Sequence, residues 1–292
     1  MTLWRNLPPM PAQMIDGKAL AARVRDEVAA EVEELGDVGL TTILVGDDPA
    51  SHVYISGKHK AATSVGIHAN DLRLAADTPQ DELLELIAGL NADDSVDGLL
   101  VQLPLPKHID ETKTIEAIDP AKDIDGLHPM NAGSLYLGRP RLVPATPLGI
   151  MRMLAEHRIE PQGARAVVVG RSNIVGKPIA HLLLQAHATV TICHSRTVDL
   201  QRHTLDADIL VAAVGQAHMI GADMVKAGST VIDVGMNRTE EGLFGDVDPD
   251  AVELAAYLTP VPGGVGPMTI AMVLKNTVTA ARARRGLVSR ES

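Results

Sequence analysis

Apolar residues recur at helical spacing near the start of the chain and then give way to short β-branched runs. Every fourth position from Leu20 to Val32 is apolar and charged residues stand between, which predicts an amphipathic helix over residues 16–35. Residues 40–45 form a short apolar run followed by a Gly-Asp-Asp-Pro turn, which predicts a buried strand and then a helix with Asp48 as its N-cap. The alternation continues with predicted helices at 49–65 and 79–90 and predicted strands at 67–74 and 96–102.

The alternation of predicted helices and strands is interrupted and then resumes in the second half of the chain. Residues 119–149 are rich in Gly, Pro and Asp and show little periodicity, which indicates an interdomain region. Beyond it we predict strands at 166–169, 189–193, 208–214 and 230–234, and helices at 150–157 and 268–285. Strands alternating with helices favour an α/β fold with two domains, each with a parallel-type sheet, and a catalytic cleft between them. The expected domains are 1–145 and 146–267, with the helix of residues 268–292 packing back on the first.

Composition narrows the class of protein. The 292 residues are 46% hydrophobic and 22% charged, an ordinary globular balance for two separate cores. A net charge of −11 argues against a nucleic-acid partner. Cys193 is the single cysteine, so no intramolecular disulfide can form, which favours a reducing, cytoplasmic location. Residues 1–13 have no apolar core long enough for a signal peptide or a membrane span, and we expect a short, poorly ordered extension there.

A glycine turn follows the predicted strand 166–169. Gly170 would permit the turn and Gly176 would allow close packing, while the helix that follows points its positive end at a pyrophosphate. This predicts a Rossmann-like nucleotide site in the second domain. Ser172 replaces the second glycine of the usual pattern, so an ordinary strand-to-helix turn remains the alternative interpretation.

The end of the next strand bears on the choice between NAD and NADP. An NAD site usually presents a carboxylate there to the ribose hydroxyls, whereas this chain has Ser195 and Arg196. Together with Arg171, these residues are suited to a 2′-phosphate. The sequence therefore favours NADP, against the alternative that the arginines are only solvated surface residues.

A third set of polar residues lies on the helix predicted at 49–65. Ser51, Tyr54 and Lys58 are spaced at i, i+3 and i+7 and therefore share one helix face. A lysine exchanges protons near neutral pH only if burial or neighbouring cations lower its pKa. The alternative is that Lys58 is a solvated surface lysine like most helix lysines.

Several segments, taken together and in order, resemble the bifunctional methylenetetrahydrofolate dehydrogenase/cyclohydrolase family. They are Y-I-S-G-K-H-K (54–60), D-G-L-L-V-Q-L-P-L-P (97–106), K-D-I-D-G (122–126), G-R-S-N-I-V-G-K-P (170–178) and T-P-V-P-G-G-V-G-P-M-T (259–269). The resemblance implies that Lys58 is the central catalytic residue, that Gln102 bonds and tunes it, and that Tyr54 lies against the folate ring. It also implies that Asp125 holds the pterin amino groups. The remaining candidate site residues, from the resemblance or from the patterns above, are Ser51, Pro262 and Gly263 for folate, and Gly170, Arg171, Ser172, Ser195, Arg196 and Met236 for NADP.

The resemblance implies a specific pair of reactions. We expect NADP-dependent oxidation of 5,10-methylenetetrahydrofolate and hydrolysis of the product to 10-formyltetrahydrofolate, by a homodimer that needs no metal and no membrane. A monofunctional NADP-dependent dehydrogenase and a non-catalytic NADP-binding regulator are the alternatives. The family's Pro-Cys-Thr-Pro reads Pro-Ala-Thr-Pro here, with Ala145 in place of the cysteine, so that thiol is not required for the chemistry.

Overall fold

The fold is taken from a computed structural model that describes residues 11–47 and 49–287, with the backbone alone described for residues 49–54. The predicted N-cap Asp48 lies outside the described residues. The α-helices are α1 (Gly17–Leu35), α2 (Pro49–Ser64), α3 (Gln80–Ala92), α4 (Glu111–Ala117), α5 (Pro129–Tyr136), α6 (Ala145–Glu156), α7 (Gly176–Gln185), α8 (Leu200–Thr204) and α9 (Val265–Arg284). The strands are β1 (Gln13–Met14), β2 (Gly39–Val45), β3 (His68–Leu74), β4 (Gly98–Val101), β5 (Arg165–Val169), β6 (Thr189–Cys193), β7 (Ile209–Ala212), β8 (Thr230–Asp233), β9 (Asn237–Thr239), β10 (Gly242–Phe244) and β11 (Tyr257–Leu258).

The chain divides into two compact units, each built from two separate segments. The six-stranded unit comprises the described part of Met1–Leu20 together with Thr146–Met268. The three-stranded unit comprises Ala21–Ala145 together with the described part of Thr269–Ser292. Neither unit is therefore a continuous stretch of sequence. No helix in the described ranges is both long enough and apolar enough to cross a bilayer.

The three-stranded unit is built around β2. This strand pairs in parallel with β3 on one side and β4 on the other. All seven of its residues are buried, as expected for a central parallel strand covered on both faces. Its core includes Ile43 from β2, Leu83 and Ile87 from α3, and Leu99 from β4. The predicted amphipathic face of α1 is confirmed, because its apolar positions from Leu20 to Val32 are buried.

The six-stranded unit contains a parallel sheet in the order β1-β11-β8-β7-β5-β6. The first strand of its second segment, β5, lies between β6 and β7, so the strand order reverses at β5. Such a reversal leaves a crevice at the carboxyl ends of the strands, where doubly wound α/β proteins bind ligands. The expected α/β class, with parallel sheets and a Rossmann-like second sheet, is confirmed.

The segment before α1 differs from the sequence expectation. Gln13 and Met14 form β1 and pair in parallel with Tyr257 and Leu258 of β11. Ala12 is buried in the core of the six-stranded unit. Gln13 is therefore part of a sheet and Ala12 part of a core, so these two residues do not belong to a poorly ordered extension; the edge of β11 pairs with this short segment.

The region predicted as an interdomain connection contains a helix that the sequence pattern did not reveal. Helix α5 has Pro129 at its first position, and the Nδ1 atom of His128 accepts a hydrogen bond from the Met130 amide. Proline at the first position and a side-chain cap both favour helix initiation. A helix of eight residues is too short for its apolar spacing to be distinctive.

Candidate active site

The lysine predicted to be catalytic is buried in the three-stranded unit. Lys58 lies on α2 and its side chain is only 4% exposed. Its ammonium nitrogen donates to Oε1 of Gln102 at 3.2 Å. Gln102 directly follows β4, and its Nε2 donates to the Leu103 carbonyl at 2.8 Å. That second bond orients the amide so that its oxygen, and not its nitrogen, is presented to Lys58.

Asp125 lies close enough to Lys58 for each charge to affect the other. Burial is the main cause that lowers the pKa of Lys58, and the Asp125 carboxylate partly opposes this effect. Burial likewise raises the pKa of Asp125, while Lys58 acts in the opposite direction and Asp123 adds to the rise. A buried lysine with a lowered pKa loses its proton more easily than a surface lysine. The alternative of a solvated Lys58 is therefore wrong.

The turn that carries Asp125 is fixed by its neighbours. Oδ2 of Asp123 accepts hydrogen bonds from the His128 amide at 2.8 Å and from Nδ2 of Asn131 at 2.9 Å. Gly126 has φ +65°, and a Cβ at this position would lie 2.7 Å from the Val143 carbonyl carbon. Any larger residue would therefore displace the chain next to Asp125.

Two predicted folate contacts fall where side chains are not described. Ser51 and Tyr54 lie on α2, the helix that carries Lys58, but only their backbone is described. Their assignment stays a prediction. The structure brings together Lys58, Gln102 and Asp125 from three different elements.

The glycine turn of the six-stranded unit lies at the point where the strand order reverses. Gly170 follows β5 with φ +132°, and a Cβ there would lie 2.2 Å from the Ala213 carbonyl oxygen, just beyond β7. A Cβ on Gly176 would lie 2.3 Å from the Gly170 carbonyl oxygen. Both positions therefore require glycine, and the turn keeps open the crevice at which a pyrophosphate binds in doubly wound folds.

Ser172 has a structural task in the same turn. Its Oγ accepts hydrogen bonds from the amides of Val175 at 3.1 Å and Gly176 at 3.3 Å. The hydroxyl therefore satisfies amides at the beginning of α7 that would otherwise lack acceptors. An oxygen that accepts two bonds still has its own proton to donate, so this task is compatible with a phosphate contact.

The residues predicted to select NADP follow neighbouring strands at the same sheet edge. Val169 of β5 pairs with Cys193 of β6, and the Gly170 amide donates to the Cys193 carbonyl at 2.9 Å. Arg171 follows β5, and Ser195 and Arg196 follow β6. All three residues are exposed. The turn after β6 is held by a 2.8 Å bond from the His194 amide to Oγ1 of Thr197.

The last predicted ligand contacts lie before and beside the start of α9. Pro262 is exposed, and Gly263 has φ +109° and accepts a hydrogen bond from the Lys18 amide at 2.9 Å. Met236 is 53% exposed, and its sulfur lies 3.3 Å from the place where a Cβ on Gly266 would stand. Met236 therefore lies beside the first turn of α9, and all three residues belong to the six-stranded unit.

Sequence reasoning missed an aspartate that organises the crevice. Asp246 is fully buried and accepts hydrogen bonds from three consecutive amides after β7, those of Val214, Gly215 and Gln216, at 2.6, 3.0 and 2.9 Å. Asp233, at the end of β8, accepts from the Asp246 amide at 2.9 Å, and burial raises its pKa to about 6. Asp246 stands in an irregular segment without a motif, so the sequence carried no signal for this role.

The six-stranded unit has the architecture of a dinucleotide-binding domain, and the three-stranded unit supplies a buried, hydrogen-bonded lysine. Together they place the protein in the class of two-domain α/β dehydrogenases. Residues 15–125 match the family model described as tetrahydrofolate dehydrogenase/cyclohydrolase, catalytic domain, and residues 144–285 match its NAD(P)-binding domain. The chain belongs to the tetrahydrofolate dehydrogenase/cyclohydrolase family, and it is an enzyme of that family.

Individual relatives agree with this assignment over nearly the whole chain. The Bifunctional protein FolD of Salinibacter ruber is 57% identical over 287 residues, covering 94% of this chain and 97% of that protein. The crystal structure of the bifunctional FolD enzyme from Campylobacter jejuni superposes with a TM-score of 0.92 at 48% identity, covering 94% of this chain and 99% of that one. The Trypanosoma brucei dehydrogenase-cyclohydrolase, solved with NADP cofactor and inhibitor, has a TM-score of 0.90 at 38% identity and covers 96% of this chain and 100% of that one.

Proposed function

We propose that the protein oxidises 5,10-methylenetetrahydrofolate with NADP and hydrolyses the resulting 5,10-methenyltetrahydrofolate to 10-formyltetrahydrofolate, as a step of one-carbon metabolism. The observation that carries this proposal is the buried Lys58, held by Gln102 and facing the charge of Asp125. A regulator that only binds a nucleotide would have no use for such a lysine. Bifunctional relatives at high identity favour two activities over a dehydrogenase alone.

Two glycines of the six-stranded unit support the binding of NADP there. The backbone at Gly170 and Gly176 has no room for a Cβ, so the pyrophosphate is expected to lie against bare backbone at the start of α7. Ser172 would donate to a phosphate, and Arg171, Ser195 and Arg196 would bind the 2′-phosphate. Met236 would contact the cofactor near Gly266. When bound, NADP accepts the hydride from the folate methylene carbon.

In the three-stranded unit the chain's own residues bind and orient folate and move protons. Asp125 accepts two N–H bonds from the amino-pyrimidine edge of the pterin, a task suited to a carboxylate. Tyr54 and Ser51 are the other proposed folate contacts on this unit, and Pro262 and Gly263 are the proposed folate contacts on the six-stranded unit. Hydrolysis adds water to the cationic methenyl carbon, and neutral Lys58 accepts one proton of that water, which leaves a neutral carbinol. The bond from this carbon to one ring nitrogen then breaks as the nitrogen takes the proton back from Lys58. The carbinol hydroxyl gives its remaining proton to solvent and becomes the formyl C=O, so one proton is released overall.

The proposal extends to domain roles, assembly and location. The expected boundary at residue 145 would separate a folate and catalytic domain, completed by the last helix, from an NADP domain at 146–267. Strand β1, which the expected range 1–145 assigned to the first domain, lies in the six-stranded unit. We expect a homodimer in the cytoplasm, with no nucleic-acid or membrane partner. Strand β6 lies at the edge of its sheet with Ile192 42% exposed, which supports burial of this edge in a dimer. Sedimentation of the purified protein tests the dimer.

A spectrophotometric assay tests the two reactions together. Methylenetetrahydrofolate with NADP or NAD should give reduced nicotinamide and a methenyl absorbance that then decays faster than spontaneous hydrolysis. Methenyl accumulation without catalysed decay would identify a monofunctional dehydrogenase. Absence of both signals would leave only nucleotide binding.

The exposed arginines should determine the preference for NADP over NAD. Replacing Arg171 and Arg196 together with alanine should lower the ratio of kcat/KM for NADP to that for NAD by about tenfold or more, because two charge-assisted hydrogen bonds are lost. Steady-state kinetics with both cofactors measure this ratio. Arg202→Ala, which removes an exposed arginine of α8 in the same unit, serves as the control. Equal efficiency with both cofactors in the unaltered protein would contradict the NADP assignment.

Asp125 should affect the two ligands differently. Asp125→Ala should weaken folate binding by about tenfold to a hundredfold, since a charged acceptor of two hydrogen bonds is lost, and should leave NADP affinity nearly unchanged. Calorimetric titration with each ligand separates the two effects. Asp77→Ala removes an exposed carboxylate of the same unit and should change neither affinity. If Asp125→Ala weakened both affinities equally, or neither, the pterin assignment would be wrong.

A further inference from the structure

A buried asparagine on α9 holds the segment that carries Asp125. Asn276 is 3% exposed, and its Nδ2 donates to the Ile124 carbonyl at 2.7 Å and to the Val143 carbonyl at 2.8 Å. The Ile124 carbonyl belongs to the peptide group that joins Ile124 to Asp125. Because a peptide group is planar, fixing its oxygen also fixes the amide nitrogen of Asp125.

The second hydrogen bond of Asn276, to the Val143 carbonyl, holds the chain that packs against Gly126, the residue after Asp125. Val143 is the residue whose carbonyl carbon would lie 2.7 Å from a Cβ on Gly126, so the chain after Asp125 packs directly on it. Both protons of the Asn276 amide are thus used to hold two segments that meet beside Asp125. The neighbouring Thr277 is also buried, but its hydroxyl bonds the Val273 carbonyl within its own helix.

We propose that Asn276 is a positioning residue of the folate site, which holds the peptide group before Asp125 so that this carboxylate stays fixed opposite Lys58. The inference rests on the proposed function and assigns to α9 a role in it. Asn276 acts through Asp125, because its side-chain amide donates to two backbone carbonyl groups and not to Lys58. The charged groups that act on Asp125 in this arrangement are Lys58 and Asp123.

The proposal predicts a change in the KM for folate and a change in the pH dependence of hydrolysis. Without Asn276 the Asp125 peptide group can rotate, so the carboxylate is misplaced relative to the pterin and to Lys58. Misplacement by about 1 Å costs up to about a hundredfold in rate in other enzymes, and we expect a rise in folate KM of about tenfold. Asp125 raises the Lys58 pKa, so a displaced Asp125 should move the rising limb of the hydrolysis rate to lower pH.

Two variants and one control test the role. Asn276→Leu keeps the approximate shape and removes both donors, whereas Asn276→Ser leaves room for water to satisfy the two carbonyl groups. Thr277→Val removes a buried hydroxyl one residue away that bonds only its own helix. Each variant is assayed for folate KM, kcat, the pH profile of methenyl hydrolysis, NADP affinity and secondary structure.

The expected result is a higher folate KM and a rising limb at lower pH for both Asn276 variants, with NADP affinity unchanged and Thr277→Val like the unaltered protein. If Asn276→Leu does not fold, Asn276→Ser decides. A folded Asn276→Ser with unaltered folate KM and pH profile would overturn the proposal, and so would failure of both variants to fold while Thr277→Val folds. Absence of hydrolysis in the unaltered protein would refute the proposed function instead.

Discussion

Lys58→Met should lower the catalysed hydrolysis of methenyltetrahydrofolate by about a hundredfold to ten-thousandfold, the range that general acid–base groups contribute. Methionine keeps the approximate bulk of the apolar stem but cannot accept a proton, so the fold and NADP binding should survive. The dehydrogenase activity should fall less, because hydride transfer requires mainly that the two ligands are positioned. The substitution therefore separates proton transfer from positioning.

The measurement compares NADPH formation from methylenetetrahydrofolate with the decay of added methenyltetrahydrofolate, corrected for spontaneous hydrolysis. Lys60→Met is the matched control, because Lys60 lies on the same helix and is exposed. It should leave both activities unchanged. Decay at the unaltered rate in Lys58→Met would refute the role given to Lys58.

The same lysine should determine how hydrolysis depends on pH. Because Lys58 must be neutral to accept a proton, the rate should rise as the pH passes through its pKa. Burial lowers that pKa, so the rise should come at a lower pH than for a lysine in water. In Lys58→Met this rising limb should be absent from the residual rate.

Gly170→Ala should both destabilise the six-stranded unit and weaken its binding of NADP. Its φ of +132° is a conformation that only glycine adopts readily, and the added Cβ would lie 2.2 Å from the Ala213 carbonyl oxygen. Backbone strain and overpacking together should lower the free energy of unfolding by about 3 kcal/mol. Displacement of the turn should also weaken NADP binding by at least about tenfold, as a result of the lost fit to the pyrophosphate.

A second glycine provides the control for this substitution. Gly89 lies inside α3, and a Cβ there would meet no atom within 4 Å. Gly89→Ala should leave NADP binding unchanged and raise the free energy of unfolding by about 0.5–1 kcal/mol, since alanine favours a helix interior. Urea denaturation and NADP titration of both variants check the contrast. Unchanged stability and NADP affinity in Gly170→Ala would show that the turn has more room than the structure indicates.

Features with a local signal could be predicted from the sequence. The apolar spacing of α1, the β-branched run of β2 and the glycine turn at Gly170 depend on neighbouring residues, and all three occur as predicted. The helix spacing and the family resemblance both indicate Lys58 as a catalytic residue, but its burial and its hydrogen bond to Gln102 are visible only in the structure.

Features that depend on distant partners could not be predicted in this way. Strand β1 is only two residues long and exists because β11 pairs with it. Asp246 holds amides about thirty residues away in the sequence, and Asn276 bonds carbonyl groups more than a hundred residues away. Neither residue belongs to a motif or a spacing pattern, because the role of each depends on which distant segment of the chain packs beside it.

The discontinuous make-up of the three-stranded unit has a consequence for its synthesis. Residues of α9 from Thr269 onward complete this unit, but they follow the whole of Thr146–Met268 in the chain. Domains usually fold in order as they leave the ribosome. Here the segment with Lys58 and Asp125 emerges first but stays without the amide of Asn276 until the nucleotide-binding half has been translated. The lysine site is therefore expected to be the last part of the nascent chain to mature.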